Sequence, residues 1–391
     1  MKRPRTHEYP TSSKSQKKTK NHEDDDQDRL SMLPEPILHH ILSYLPTKDA
    51  TKTSVLSKTF NSAWKSSPVL DFNQYSFQKY SRKNAKTQRR SSTVQDFCNY
   101  VDRTISNRDL VQTGISKFQV VVNFNSRNIT SYHKNLDRWL NYAMDNNVQE
   151  LILAHHLSSR AKDHQWGRYV LPESPFRAKS LENLDLFGCQ FPPNNGNIGL
   201  VSLKKLKLSR VYIDQETLQN ILSTCCHLEE LEINLCEGFE AIKVSGLSLK
   251  KVDLYLARDR VQNVVISAPN LEFLSYGGGC ANVQSSLERS NNFQSLKELI
   301  LHDVDITDGF FRVIPQFPQL EKMELARCCF LESVRISNVR VLGCLSIYEC
   351  FRIKEIELHV SCLSCFRYDG VMYESPGDMI DVSDKFKVFR I

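Results

Sequence analysis

The sequence predicts an α/β solenoid, a horseshoe of parallel inner strands, preceded by a small all-helical module. Three observations predict it. An apolar motif recurs nine times from residue 181 onward, at intervals of 21 to 25 residues. Two short amphipathic helices are predicted between residues 30 and 64. Between these regions helical and strand patterns alternate, which indicates parallel strands joined by crossover helices.

The first 27 residues are expected to form a disordered charged tail, because they carry many charges and almost no apolar side chains. Two basic clusters, Lys2–Arg5 and Lys14–Lys20, have the form of a bipartite nuclear localisation signal. A solvated tail without a signal explains the same residues. No apolar run is long enough for a membrane span or a secretory leader. We therefore expect an intracellular protein, in the nucleus and/or the cytoplasm, with no membrane partner and with reduced cysteines.

The helical module carries more apolar surface than it can bury alone. Its first helix has an apolar arc of about 140° and ends at Pro46; the arc consists of Ile37, Leu38, Ile41, Leu42 and Leu45. A second helix is predicted over residues 48–64, with Leu56, Phe60, Ala63 and Trp64 on one face. Two short helices cannot shield such faces from water. Either the apolar face packs on the rest of the chain or it binds another protein, and composition leaves both open.

Two segments connect the module to the repeats. Residues 69–93 are expected to be a basic linker or exposed loop, because residues 73–93 contain six Lys and Arg and no acid. A solvated linker is favoured over a nucleic-acid contact, since aromatic residues are not interleaved with the basic ones. Residues 94–147 are expected to join and cap the solenoid, through a helical stripe at Phe97, Val101 and Ile105, a strand over 117–124 and a helical face from Leu136 to Ala143.

Residues 148–391 are assigned to the repeats and the C-terminal end. The spacing L-x-x-L-x-L and its period are typical of leucine-rich repeats, and the series is expected to start at Val148. The second and third apolar residues of each motif point inward and form stacked core layers. The nine motifs begin at Leu181, Leu203, Leu228, Leu249, Leu271, Leu296, Leu320, Leu342 and Leu363. Four cysteines fall three residues after the last apolar position of their motif, where a small inward side chain is preferred: Cys189, Cys236, Cys328 and Cys350.

Motifs of catalysis are not found: the sequence has no Walker loop, no G-x-G-x-x-G, no H-E-x-x-H and no G-x-S-x-G. The pair Cys362 and Cys365 has the spacing of half a zinc or redox site. Because Leu363 is a core position and no second C-x-x-C exists, a structural role is favoured. We expect no catalytic residues, no metal and no cofactor.

Residues 28–58 resemble the F-box, and the stretch Thr47–Lys58 is similar to its plant form. Further on, Trp139, Tyr169–Pro172 and Ala178–Leu181 are similar to the joining region of plant F-box/leucine-rich-repeat proteins. The F-box is placed at residues 28–68. The sequence departs from the family at Lys58-Thr59-Phe60, where Lys-Arg-Trp is usual, and it has no clear FBD-type domain after residue 370.

The resemblance implies a substrate-recognition subunit of an SCF-type E3 ubiquitin ligase, non-catalytic itself. Its F-box would dock on a SKP-family adaptor, which links to a cullin and a RING subunit. Carried over by position, the adaptor-binding residues are Leu33, Pro34, Ile37, Ile41, Leu42, Leu45, Pro46, Leu56 and Trp64. The alternative is a repeat scaffold that acts outside any ubiquitin ligase.

The concave face of the solenoid would then bind a protein substrate. Charges of both signs with scattered aromatic residues fit a protein or peptide target better than nucleic acid. Candidate residues flank the inward leucines: Phe187, Lys205, Lys207, Glu230, Glu232, Tyr255, Phe273, Ile300, His302 and Tyr348. A small-molecule pocket is disfavoured, because this face has only His302, isolated lysines and Arg367 to converge on a ligand.

Overall fold

The computed structural model describes residues 30–81, 90–108, 114–123, 129–156, 168–193, 198–257, 261–278, 287 and 293–369. The predicted charged tail and both basic clusters lie outside the described residues. So does the C-terminal end after residue 369.

The α-helices of the described chain are α1 (Glu35–Ser43), α2 (Thr47–Thr53), α3 (Lys58–Ser66), α4 (Gln74–Ser81), α5 (Arg90–Ser106), α6 (Ile129–Asp145) and α7 (Gln215–Thr224). The prediction of one helix over 48–64 is wrong, because α2 and α3 divide that segment. The Ser57 hydroxyl caps α3 by accepting a hydrogen bond from the Phe60 N–H at 3.1 Å. Ahead of it, the hydroxyls of Thr53 and Ser54 donate to carbonyls three residues back, a bond that competes with helix continuation.

The strands are β1 (Val69–Asn73), β2 (Lys117–Val122), β3 (Glu150–His155), β4 (Tyr169–Val170), β5 (Asn183–Phe187), β6 (Cys189–Gln190), β7 (Lys205–Ser209), β8 (Glu230–Asn234), β9 (Ala241–Ser245), β10 (Lys251–Tyr255), β11 (Asn263–Ser267), β12 (Phe273–Gly277), β13 (Glu298–His302), β14 (Lys322–Ala326), β15 (Ser333–Ser337), β16 (Cys344–Tyr348), β17 (Glu355–His359) and β18 (Cys365–Asp369). Twelve of them form one sheet in the order β1-β2-β3-β5-β7-β8-β10-β12-β13-β14-β16-β18, and its pairs are parallel. The remaining strands pair two by two, as β4 with β6, β9 with β11 and β15 with β17. The α/β solenoid of parallel strands is thereby confirmed.

The sheet begins earlier than the sequence predicts. Residues 69–81, assigned above to a linker, form β1 and α4, and β1 pairs with β2 at the start of the sheet. Leu70 and Phe72 of β1 are fully buried. The segment has the alternation of a half-buried strand, but only over five residues beside a long polar stretch. Residues 82–89 of the predicted linker lie outside the described chain.

The repeats stack as their spacing predicts. In each strand the second and fourth residues face the core, so Leu206 lies beside Leu231 and Leu208 beside Ile233 in neighbouring strands. The four bend cysteines are buried, which confirms their predicted inward placement. The Cys236 thiol donates to the Leu208 carbonyl oxygen at 3.4 Å.

Candidate partner-binding surfaces

The wide apolar arc of helix α1 is partly buried and partly exposed. Leu38 and Leu42 are buried and Leu45 packs against the same core. Ile37 and Tyr44 lie on the other side of the helix and are 46% and 75% exposed. Leu38 and Leu45, like Ile37 and Tyr44, are seven residues apart, so each pair lies on one stripe that runs to the C-terminal end of α1. Most of the arc therefore packs on the chain itself, and Ile37 with the adjoining Tyr44 is exposed to a partner.

Two turns of the module add further exposed apolar side chains. Val55 and Leu56, between α2 and α3, are 85% and 65% exposed, and Met32, ahead of α1, is 68% exposed. The Ser31 hydroxyl donates to the Ser57 hydroxyl at 2.7 Å and joins the two turns. Six of the fifteen exposed large apolar side chains of the described chain fall within residues 30–56. We call these six the module surface: Leu30, Met32, Ile37, Tyr44, Val55 and Leu56.

The residues predicted to bind an adaptor fall into three groups. Pro34, Ile37 and Leu56 are exposed. Half-buried positions follow: Leu33, Ile41, Leu45 and Pro46. Leu42 and Trp64 are buried in the chain's own core, so they stabilise the module and offer no surface to a partner in this conformation. Sequence reasoning missed Leu30, Met32, Tyr44 and Val55. Of these, Tyr44 could have been found, since it follows Ile37 by two helical turns.

The module is held on the solenoid by polar contacts beside β1. The Asp71 N–H donates to the Thr47 hydroxyl at 2.6 Å, and the Lys48 ammonium lies 4.2 Å from the centre of the Phe77 ring. Burial raises the pKa of the Asp71 carboxyl, while the nearby Lys117 acts in the opposite direction. The module is therefore packed directly against the first strand of the sheet.

The second candidate surface is the open face of the sheet, formed by the first, third and fifth residues of the twelve strands. It corresponds to the predicted concave face. All ten predicted substrate-binding residues lie on it, and none of them is buried. Substrate binding itself is not tested by this placement and stays a prediction.

Charges on the open face are largely paired across strands. The Lys205 ammonium lies 2.7 Å from a Glu230 carboxylate oxygen, and Lys207 lies 2.9 Å from Glu232. The hydrogen bond to Glu232 raises the pKa of Lys207, whereas burial raises the pKa of the neighbouring Asp185. These side chains line a cavity of about 380 Å³ over β3, β5, β7, β8 and β10. Its paired charges favour a ligand that carries both positive and negative groups, as a peptide does.

Aromatic and imidazole groups are spread over the rest of the open face. Phe187 packs on His156, with ring centres 4.6 Å apart, and His302 lies 3.0 Å from a Glu324 carboxylate oxygen. The Tyr255 hydroxyl donates to Asp303 at 3.1 Å. Among the described residues no group of three or more His, Cys, Asp or Glu is arranged to hold a metal ion.

Comparison with known proteins assigns both regions. The F-box domain matches residues 30–72. The leucine-rich-repeat domain of the At1g61320/AtMIF1 type matches residues 109–296 and 285–384, well over half of the chain. The chain belongs to the F-box/leucine-rich-repeat family. Members of this family are typically non-catalytic adaptor proteins. No helix in the described ranges is long and apolar enough to cross a membrane.

Relatives of this F-box/leucine-rich-repeat protein include several from Arabidopsis thaliana. The F-box/LRR-repeat protein At3g26922 is 30% identical over 258 residues, which are 64% of this chain and 76% of that protein. The FBD-associated F-box protein At4g13985 is 32% identical over 254 residues, or 63% of this chain and 51% of the relative. The putative F-box/FBD/LRR-repeat protein At5g22670 is 29% identical over 301 residues, 74% and 59% of the two chains. The chain thus spans about half the length of some curated relatives it matches.

Proposed function

We propose that this protein is the substrate-recognition subunit of an SCF-type E3 ubiquitin ligase. Its module surface docks on a SKP-family adaptor, and the adaptor links it to a cullin and a RING subunit. The open face of the sheet binds a protein substrate. The chain contributes no chemistry: it raises the rate of ubiquitin transfer by holding the substrate near a separate charged enzyme.

The observation that carries the proposal is the concentration of exposed apolar side chains on the F-box. Val55, at 85%, and Leu56, at 65%, would each remove apolar surface from water on docking. A protein interface draws most of its affinity from a few such buried anchors. Ile37 supplies a third anchor from helix α1.

We assign the substrate site to the open face because its outward side chains include Lys–Glu ion pairs and aromatic residues. The Lys207–Glu232 pair can exchange its partners for those of a peptide at little cost, since exposed ion pairs contribute about 0–1 kcal/mol. Phe273, with the Lys251 ammonium 5.0 Å from its ring centre, offers an apolar contact nearby. These features support a protein substrate rather than a nucleic acid.

Adaptor docking is tested by co-purification of the full chain with a SKP-family adaptor and a cullin. We expect Leu56→Asp to weaken adaptor binding by roughly 30-fold, the effect of losing one anchor worth about 2 kcal/mol. Leu247→Asp is the matched control, because Leu247 is at least as exposed, at 74%, but lies on the solenoid. It should leave adaptor binding unchanged, and circular dichroism should show both variants folded.

Three results would oppose the proposal in different ways. If the wild type brings down no adaptor, the chain is a repeat scaffold that acts outside a ligase. If both Asp variants lose the adaptor equally, the contact does not pass through the module surface. If the adaptor binds but no cullin accompanies it, the complex is not a ligase of this type.

We further propose that the protein acts inside the cell, in the nucleus and/or the cytoplasm, and that the basic clusters Lys2–Arg5 and Lys14–Lys20 direct it to the nucleus. Fluorescence of the tagged full chain should shift to the cytoplasm when the lysines of the second cluster are replaced by glutamine. An unchanged distribution would mean that these residues are a solvated tail without an import function.

A further inference from the structure

Two cysteines face each other across the last pair of strands in the described sheet. Cys344 is the first residue of β16, Cys365 is the first residue of β18, and the two are direct partners in the parallel register. Neighbouring strands lie about 4.8 Å apart, within the span of about 4.4–6.8 Å that a disulfide bridges between Cα atoms. Both residues are half-buried free thiols on the open face.

Polar and charged side chains surround this pair of thiols. The Cys365 side chain lies directly opposite Cys344 on the same face of the sheet. Burial and the neighbouring Cys365 raise the pKa of Cys344, whereas Ser346 and the charge of Arg367 act in the opposite direction. The Arg367 guanidinium lies near both sulfur atoms. The charge of Arg367 thus offsets part of the effect of burial and favours the thiolate, which is the form that reacts in oxidation.

A second cysteine pair shows what an inert arrangement looks like in the same fold. Cys328 and Cys350 also occupy equivalent positions of neighbouring repeats, at the bend, but both are fully buried. The Cys328 N–H donates to the Cys350 sulfur at 3.4 Å, and the Cys328 thiol donates to the Leu301 carbonyl oxygen at 3.8 Å. These sulfur atoms satisfy backbone groups and have no access to solvent. The pair at Cys344 and Cys365 differs in both respects.

We propose that Cys344 and Cys365 form a redox-sensitive dithiol, which hydrogen peroxide closes to a reversible disulfide on the open face. One thiolate attacks a peroxide oxygen, the O–O bond breaks, and a sulfenic acid and one water form after proton transfer. The second thiolate then attacks the sulfenic sulfur, the S–O bond breaks, and a second water leaves. Two thiols and one peroxide thus become one disulfide and two waters.

The disulfide joins the first residues of two neighbouring strands, at one end of the open face. It ties β18 covalently to β16 and removes two thiols that lie next to Arg367 and Ser346. Because neither residue is fully buried, small thiols such as glutathione can reach the bond and reduce it. The oxidation state of this pair therefore alters both the chemistry and the mobility of that end of the sheet. The inference does not depend on the ligase proposal.

The structure also selects the partner of Cys365. Cys362 precedes it by three residues, and their spacing suggested a C-x-x-C site in the sequence. In the register, Cys365 lies beside Cys344, while Leu363 between the two cysteines packs against the core. We therefore place the bond across the strands and not within the C-x-x-C segment.

The test uses the reduced full chain, treated with hydrogen peroxide, alkylated and digested with trypsin without reduction. Cleavage after Arg340, Arg352, Lys354 and Arg367 releases residues 341–352 and 355–367, and we expect these two peptides to be joined. Each peptide also contains a second cysteine, Cys350 or Cys362. Serine variants therefore identify the sulfur atoms. The cross-link should be lost in Cys344→Ser and in Cys365→Ser, persist in Cys350→Ser and Cys362→Ser, and disappear with dithiothreitol.

A hydrogen-exchange measurement on the same samples gives a second readout. Peroxide should slow amide exchange across residues 365–369 in the wild type and leave the Cys344→Ser variant unchanged. The proposal is overturned if the joined peptides persist in Cys344→Ser, or if peroxide converts Cys365 to sulfinic acid without joining the two peptides. Equal melting temperatures of the reduced wild type and the reduced Ser variants establish that all of them fold.

Discussion

The guanidinium of Arg108 lies against the ring of Trp64, with its central carbon 5.6 Å from the ring centre, and donates to the Trp64 carbonyl oxygen at 3.2 Å. It also donates to the Ser67 carbonyl oxygen. One side chain just after α5 thus holds the last turn of α3, 44 residues earlier in the chain. Through this contact Trp64 helps to hold the module on the solenoid.

Arg108→Ala should consequently destabilise the module. Hydrogen bonds from a charged group contribute about 1.5–3 kcal/mol. The variant would lose the bonds from Arg108 to the Ser67 and Trp64 carbonyls, although the Trp64 carbonyl would still accept from the Ser67 N–H. We expect the free energy of unfolding to fall by about 2–3 kcal/mol in urea titrations. Arg312→Ala, at an exposed arginine of the solenoid, should change it by less than about 0.5 kcal/mol. An equal loss in both variants would contradict a specific role of Arg108.

The two stripes of α1 predict opposite effects of alanine substitution. Leu42→Ala leaves a cavity in the core and should reduce the free energy of unfolding by about 2–5 kcal/mol. Ile37→Ala, on the exposed stripe, should reduce it by no more than about 0.5 kcal/mol while it weakens adaptor binding. The measurements are thermal unfolding and adaptor co-purification. A stable Leu42→Ala protein that loses the adaptor would show that Leu42 is a binding residue after all.

Gly188, directly after β5, should tolerate no side chain. Its φ is +70°, and a Cβ at this position would collide with the carbonyl oxygen of His155. The left-handed conformation alone costs an L-residue roughly 1–2 kcal/mol, so Gly188→Ala should lower stability by at least that amount. Gly199→Ala is the matched control, because its added Cβ would make contacts of ordinary length, 3.5 Å and longer. Comparable melting temperatures for the two variants would rule out this strain.

His155 should make the stability of the protein depend on pH. Burial lowers its pKa from 6.5 to about 4, and the neighbouring His133 adds to the shift. The unfolded chain binds a proton on this imidazole below about pH 6.5, whereas the folded chain does so only near pH 4. Stability is therefore greatest above pH 6.5 and falls by roughly 3 kcal/mol as the pH drops to 4, at about 1.4 kcal/mol per unit.

The control for this pH dependence is His155→Asn, which cannot take up the proton. Its stability between pH 7 and pH 4 should fall less steeply than that of the wild type. The slope of the free energy of unfolding against pH, from urea titrations at several pH values, provides the comparison. Identical slopes would mean that other groups dominate acid unfolding.

A charge exchange separates substrate binding from stability on the open face. In the double variant Lys207→Glu with Glu232→Lys the pair is retained with reversed polarity, so the free energy of unfolding should change by less than about 1 kcal/mol. Proximity labelling with the proteasome inhibited should nevertheless show loss of substrates captured by the wild type. The Glu332–Lys354 pair, 2.7 Å apart, lies beside β15 and β17, outside the twelve-stranded sheet, and its exchange is the control. Unchanged capture in the first variant would remove Lys207 and Glu232 from the substrate site.

Repetition made much of the fold predictable. An apolar residue that recurs in the same motif of every repeat must face the same core, so the inward layers, the parallel sheet and the bend cysteines follow from spacing alone. The start of the sheet was not predictable in this way. Strand β1 has no repeat motif of its own. Its partner β2 begins 48 residues later in the sequence, and Val69 pairs with Lys117.

The amino-acid sequence by itself determined the repeat architecture and the F-box resemblance, because both reside in local patterns of side chains. Only the tertiary structure decided which apolar residues of the module are free. Leu38 and Ile37 are adjacent in the chain, yet one is fully buried and the other is 46% exposed. The same holds for Cys344 and Cys365, whose pairing depends on strand register. Whether a side chain is exposed or paired depends on segments far apart in the sequence, because packing brings those segments together.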